Sequence, residues 1–222
     1  MCGRFNLTES PLVQALLIEL GLEDLVDVER MRFNDDCAPL NPISIVTHQG
    51  IEDAIWHLYL IPENGKWKPK PKNWSINSRA DKLHRRPEYR TQRCLIPATG
   101  FVESQSGKYP HQLEFPGKGF FFGGLYKRYE DAEAGPITST TIITLPGHHK
   151  LEHIHRKAFP LIMPTDSKVI SKWLDPEFGN THAFEDLLTP NIRWNMTATP
   201  IDKASTKVKI GEVEQFTPDW LI

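Results

Sequence analysis

Residues 94–126 read CLIPATGFVE SQSGK YPHQLEF PGKG FFFGGLY, and this stretch decides the fold. Three runs rich in β-branched, aromatic and aliphatic residues, 94–103, 109–115 and 120–126, are separated by short Ser/Gly and Pro/Gly breaks that suit turns. Ser106-Gly107 reads as the hairpin turn between the first two. Working outward, further short strand-like runs occupy 43–47, 54–61, 140–145, 159–163 and 192–197. Ser10-Pro11 supplies a cap and a first-turn proline for a helix whose apolar face is Leu12, Val13, Leu16, Leu17 and Leu20, and Gly21 ends it. Helical periodicity returns at 167–174 and 182–188, while 66–73 alternates Lys with Trp or Pro and is predicted to be an extended loop. The reading is an α+β chain, one domain over 1–222, built around an antiparallel, barrel-like β-sheet with peripheral helices.

Composition bounds the function. The chain has 222 residues, 39% hydrophobic and 10% aromatic, enough to bury a core, and no apolar run approaches the length of a membrane span. No signal-peptide pattern opens it, so a soluble, cytoplasmic protein is expected, nucleoid-associated if bacterial. Cys2, Cys37 and Cys94 form neither an even disulfide framework nor a CxxC metal pair. Net charge is −2 overall, yet 66–93 holds ten basic residues against Asp81 and Glu88; this segment carries +8 and the remainder −10. Concentrated positive charge is what phosphate binding requires, although a solvated basic loop would look the same. Trp67 and Trp74 are interleaved with these charges, a composition that favours stacking on unpaired bases, and a core role for Trp74 fits as well because Ile76 beside it is apolar.

The N-terminus reads Met1-Cys2-Gly3-Arg4-Phe5. A small second residue permits loss of the initiator, leaving a cysteine with both an α-amine and a thiol. Their reference pKa values, about 8 and about 8.5, leave a minority of each nucleophilic at neutral pH. An aldehyde meeting both would form an imine and then close to a five-membered thiazolidine ring, an intramolecular step favoured by high effective molarity. Read alone, Cys2 is equally a frayed terminal residue.

Three further motifs follow in order: Asn77-Ser78-Arg79-Ala80-Asp81, then Arg93-Cys94-Leu95-Ile96-Pro97-Ala98-Thr99-Gly100-Phe101-Val102-Glu103, then Ile154-His155-Arg156 with Pro160 downstream. With Met-Cys-Gly-Arg they resemble the SRAP family, the SOS-response-associated peptidases that process abasic sites, from Cys2 to about Pro164; Ala38-Pro39, Trp56 and Leu60-Ile61-Pro62 add to the likeness. The resemblance implies a protein of the DNA damage response, expected to be a monomer. It would bind single-stranded DNA containing abasic sites and protect the lesion as a covalent thiazolidine crosslink to Cys2, without cofactor or metal.

The same resemblance implies Asn77 as the residue positioning the N-terminus and the sugar, Glu103 and His155 as the proton-transfer pair, and Arg4 and Arg79 as phosphate holders. Arg85, Arg86, Arg156, Trp67 and Trp74 complete the expected DNA contacts. Peptidase activity would be self-removal of Met1. The chain departs from the family pattern at Ser104, where Trp is usual, at Thr99, where Asp is usual, and by one extra residue between His155 and Pro160. Either Arg156 or Lys157 fills the basic position after the histidine.

Other functions fit parts of the sequence. Glutamine amidotransferases of one class also expose cysteine from Met-Cys-Gly, but that amidohydrolase reading leaves Asn77-Ser78-Arg79 and the basic segment unexplained. A non-catalytic single-strand-binding module would make Cys2 a bystander. His149 and His153 stand one helical turn apart, yet with His148 and His155 they lack a cysteine or carboxylate to complete a zinc set.

Overall fold

A computed structural model describes residues 2–105 and 108–221, the last by its backbone only. Numbered along the chain, strands β3 (Pro42–Thr47), β4 (Gly50–Trp56), β8 (Arg93–Ala98), β11 (Phe120–Tyr129) and β12 (Ile137–Leu145) close into a barrel. Their order is β11, β8, β3, β4, β12, and β12 returns to pair with β11 from Gly124↔Ile142 to Tyr129↔Ile137. The expected barrel-like sheet is therefore present. Its pairing is not wholly antiparallel: β12 runs parallel to β4 at Ser139↔Ile55 and to β7 (Asn77–Arg79) at Ile142↔Asn77. These strands are far apart in sequence, so no hairpin forces them to oppose.

Burial on both faces explains the unbroken apolar run at 120–126. Phe120, Phe122 and Tyr126 enter one core cluster with Phe5, Trp56, Phe101 and Ile142, whereas Phe121 and Leu125 enter another with Val13, Leu17, Ile170 and Trp173. Alternation along the strand sends successive side chains to opposite faces, and both faces are covered. Helix α1 (Pro11–Leu20) lays Val13, Leu16, Leu17 and Leu20 into the second cluster and stops where Gly21 adopts φ 67°. Ser10 caps it by position without a side-chain hydrogen bond.

A second sheet packs alongside, in the order β15 (Glu214–Phe216), β14 (Met196–Pro200), β10 (Lys108–Glu114), β9 (Gly100–Gln105), β1 (Arg4–Leu7), β2 (Asn34–Cys37). The run at 94–103 is thus two strands in two sheets, with the chain crossing at Thr99. There the Thr99 hydroxyl oxygen accepts hydrogen bonds from the Thr8 amide and the Asn6 side chain, each at 2.9 Å. A family aspartate would offer the same acceptor, so threonine preserves the join. Gly100 is required next: a Cβ would lie 2.3 Å from Gln112 Nε2. The Ser106-Gly107 turn lies outside the described residues, although Gln105 and Lys108 on either side of it pair.

Several sequence expectations are corrected. The run at 54–61 breaks after Trp56, and the loop expected at 66–73 is partly a strand, β6 (Lys66–Pro69), paired with β5 (Leu60–Glu63) across Asn64-Gly65. Both turn residues have positive φ, 52° and 67°, the geometry for which Asn-Gly is the strongest short hairpin signal. The run at 159–163 shortens to β13 (Phe159–Pro160), and 192–197 shifts to β14. Residues 182–188 lie in a 3₁₀ rather than an α-helix, Thr181–Leu188. Besides α1, the α-helices among the described residues are α2 (Glu88–Thr91), α3 (Glu152–His155) and α4 (Ser167–Leu174). No helix among the described residues is long and apolar enough to cross a membrane.

Candidate active site

Sheet register builds the site. β1 pairs with β9 through Arg4↔Val102 and Phe5↔Phe101, which carries residues 2–3 alongside Glu103. β7 lies against β12 with Asn77 and Ser78 buried, and the strand emerges at its end, where Arg79 is exposed. Asn77 Nδ2 donates to the Cys2 carbonyl at 2.8 Å, across a sequence separation of 75. Its Oδ1 is buried and accepts no hydrogen bond among the described residues. Cys2 is fully buried, its Sγ 3.8 Å from the Arg4 carbonyl.

His155 ends α3, anchored by buried Ile154. The Pro146-Gly147 loop passes hard against the following turn: a Cβ on Gly147 would lie 2.0 Å from the Arg156 carbonyl oxygen. Nδ1–H of His155 donates to the Ser104 carbonyl at 2.6 Å, which fixes the tautomer and leaves the lone pair of the neutral ring on Nε2. Because the acceptor is backbone, serine serves at 104 as well as tryptophan would. Glu103 Oε2 lies 3.6 Å from His155 Nδ1, and the two side chains are 4% and 11% exposed. The extra residue before Pro160 is taken up in the bend at Arg156 and Lys157, so His155 still meets Glu103.

Burial sets the protonation states. It raises the Glu103 carboxyl to about 7 and lowers the His155 imidazole below its ordinary value. Burial, then the charge of Glu103, pushes the Cys2 thiol well above the ordinary thiol range. With Met1 in place the thiol is therefore protonated at neutral pH and needs a base to become nucleophilic. An acid near 7 beside a weakly basic imidazole is suited to passing protons in either direction.

Glu103 and His155 line a cleft of about 600 Å³ with Gly3, Arg4 and Lys157, and residues 202–204 form its outer wall. A second cleft, about 430 Å³, is lined by Arg79, Asp81, Thr144 and the same Lys157. Lys157 joins the two, whereas exposed Arg156 lines neither, which distinguishes the two basic candidates that sequence left level. The only sequence signal for Lys157 was its nearness to His155.

The remaining expected contacts are dispersed. Arg79 meets Asp81 in a two-point pair, both contacts at 2.9 Å, and Arg4 Nη1 meets Asp36 at 2.5 Å. Arg85 is exposed beside His84, and Arg86 donates to the Tyr59 hydroxyl at 2.8 Å. Trp67 donates Nε1–H to the Gly135 carbonyl and packs on Tyr129, so its ring braces β6; Trp74 is 56% exposed with one edge against His57. Arg93, counted in the basic segment, is 2% exposed and donates to six backbone carbonyls, those of Tyr89, Arg90, Lys172, Trp173, Asp175 and Phe178. It is therefore not available to touch a phosphate. His148 and His153 are paired with Asp219 and Glu214, and no cluster of three metal-ligating side chains occurs among the described residues.

Comparison with known proteins gives a consistent picture. The family model for SRAP, SOS response associated peptidase, matches residues 1–208. The chain is 27% identical to the abasic site processing protein YoqW of Bacillus subtilis over 201 residues, 86% of this chain and 87% of that one. YoaM, another abasic site processing protein of B. subtilis, is 25% identical over 225 residues and 96% of each chain. Among solved structures, a Bacteroides thetaiotaomicron protein superposes with a TM-score of 0.66 at 19% identity, covering 90% of this chain and 92% of its own. One from Bordetella bronchiseptica superposes at 0.63 and 20% identity, covering 85% and 94%.

Proposed function

The chain belongs to the SRAP family, and we propose that it processes abasic sites in single-stranded DNA by joining them covalently to Cys2. The names of its B. subtilis relatives support the lesion. The observation that carries the chemistry is that Asn77 holds the carbonyl of Cys2, whose neighbour Gly3 lines one cleft with the Glu103–His155 pair.

In this reading Met1 is removed, by self-cleavage in keeping with the family's description, and the Cys2 α-amine attacks the aldehyde carbon of the opened sugar. Glu103 in its acid form delivers a proton to the departing hydroxyl, water leaves and an imine forms. His155 or the Glu103 carboxylate then takes the thiol proton, sulfur adds to the imine carbon, and nitrogen recovers a proton. One water is lost in total, and the former aldehyde carbon ends bonded to both nitrogen and sulfur. Asn77 acts as a positioning residue, holding Cys2 through its carbonyl. Arg4, Arg79 and Lys157 hold phosphates, Arg85, Arg86 and Arg156 add charge to the approach, and exposed Trp74 offers a stacking face. The chemistry calls on no cofactor.

Incubation with a single strand bearing an enzymatically generated abasic site tests this. A denaturation-resistant adduct is expected from the parent protein and none from Cys2→Ala or Cys2→Ser, whose remaining amine gives only an imine that borohydride must trap. An equal yield of unreduced, heat-stable adduct from Cys2→Ala would refute the sulfur-dependent ring.

A further inference from the structure

The wall facing Glu103 and His155 across the first cleft is a loop that sequence charge did not single out. Residues 202–209 carry Lys203, Lys207 and Lys209 against Asp202, a net +2 in a part of the chain otherwise acidic. The loop is internally built. The Thr206 hydroxyl donates to both Asp202 carboxylate oxygens at 2.7 Å, and the Val208 amide adds a third bond at 2.9 Å. Backbone bonds from Asp202 to Val208 and from Lys207 to Lys203 close it. Lys207 Nζ reaches the Asp35 carbonyl, tying the loop to β2. Asp202 is engaged by the loop's own donors and by the charge of its neighbour Lys203, which is exposed on the cleft wall.

Besides Arg4, which also lines the first cleft, three cationic residues are distributed along the two. Arg79 lines only the second, Lys157 lines both, and Lys203 lines only the first. We propose that Lys203 binds a backbone phosphate on one flank of the lesion while Arg79 binds one on the other flank, with Lys157 between them, so that a single strand crosses both clefts with its damaged sugar at Glu103 and His155. This rests on the function proposed above and adds a DNA contact and a direction of passage.

Equilibrium binding tests it without any covalent step, using strands that carry a stable tetrahydrofuran analogue, which has no aldehyde. With the analogue in mid-strand, Lys203→Glu should weaken binding about fivefold or more and reduce the salt slope by about 0.7, the share of one phosphate contact on a single strand, while Lys203→Arg retains affinity. Placing the analogue at one end of the strand should abolish sensitivity to Lys203→Glu and keep sensitivity to Arg79→Ala; placing it at the other end should do the reverse. Equal sensitivity to both substitutions at both ends, no effect of Lys203→Glu in mid-strand, or no binding by the parent would overturn the inference. Failure of the covalent reading shows separately, as absence of adduct with aldehyde-bearing DNA that is nonetheless bound.

Discussion

At the scale of single residues, Glu103 links chemistry to stability. Its carboxyl is raised from 4.5 to about 7 by burial, so between these values the folded protein holds a proton that the unfolded chain releases. The sign follows: the stabilisation is fully present below about pH 4.5 and is lost as pH rises through about 7, amounting to roughly 3 kcal/mol at 1.36 kcal/mol per unit. Glu103→Gln should lack this slope and be the more stable protein at pH 8, a difference that denaturant unfolding at pH 5 and pH 8 measures. The same substitution should slow adduct formation by about a hundredfold and remove any inflection of the rate near pH 7. A rate within twofold of the parent would take Glu103 out of the mechanism.

Among the elements, the join of β8 to α4 shows how sequence charge misleads. Arg93 opens β8 and spends its donors on carbonyls from residues 89–90 and 172–178, pinning α2 and the end of α4 to the barrel. Arg93→Met should cost about 3 kcal/mol or more, because buried carbonyls lose their partners, and should leave the salt slope of DNA binding as it was. A change in slope with normal stability would return Arg93 to the DNA-binding surface.

What could be read beforehand divides along the same line. Helix α1 and the runs that form β8 to β11 were legible because capping, turn chemistry and apolar runs are local signals, whereas the switch of sheet at Thr99 that divides β8 from β9 was not. Strands β1, β2, β7 and β15 were not, since Arg4–Leu7 or Asn77–Arg79 are three or four residues whose pairing is decided by distant partners. Asn64-Gly65 was legible in principle and was obscured by the lysines and prolines that follow it.

On the scale of the whole molecule, a closed barrel gives β7 and β12 a fixed place, and the second sheet brings the N-terminus to Glu103. The proposed site residues Cys2, Asn77, Glu103 and His155 could be singled out by their motifs. Their arrangement comes from register, which no motif states; the clefts favour Lys157 over Arg156, and Lys203 emerges only from their shape. If the exposed basic residues hold phosphates as proposed, affinity for single-stranded DNA should fall steeply between low and moderate salt. Affinity constant across that range would exclude an electrostatic interface.

The most direct measurement is the mass of the crosslinked peptide. After nuclease and protease digestion of the adduct, tandem mass spectrometry should find an N-terminal peptide that begins at Cys2, lacks Met1, and carries the sugar remnant with the loss of one water, both nitrogen and sulfur of Cys2 being engaged. A remnant on Lys157 or another lysine, or on a peptide that keeps Met1, would contradict the account.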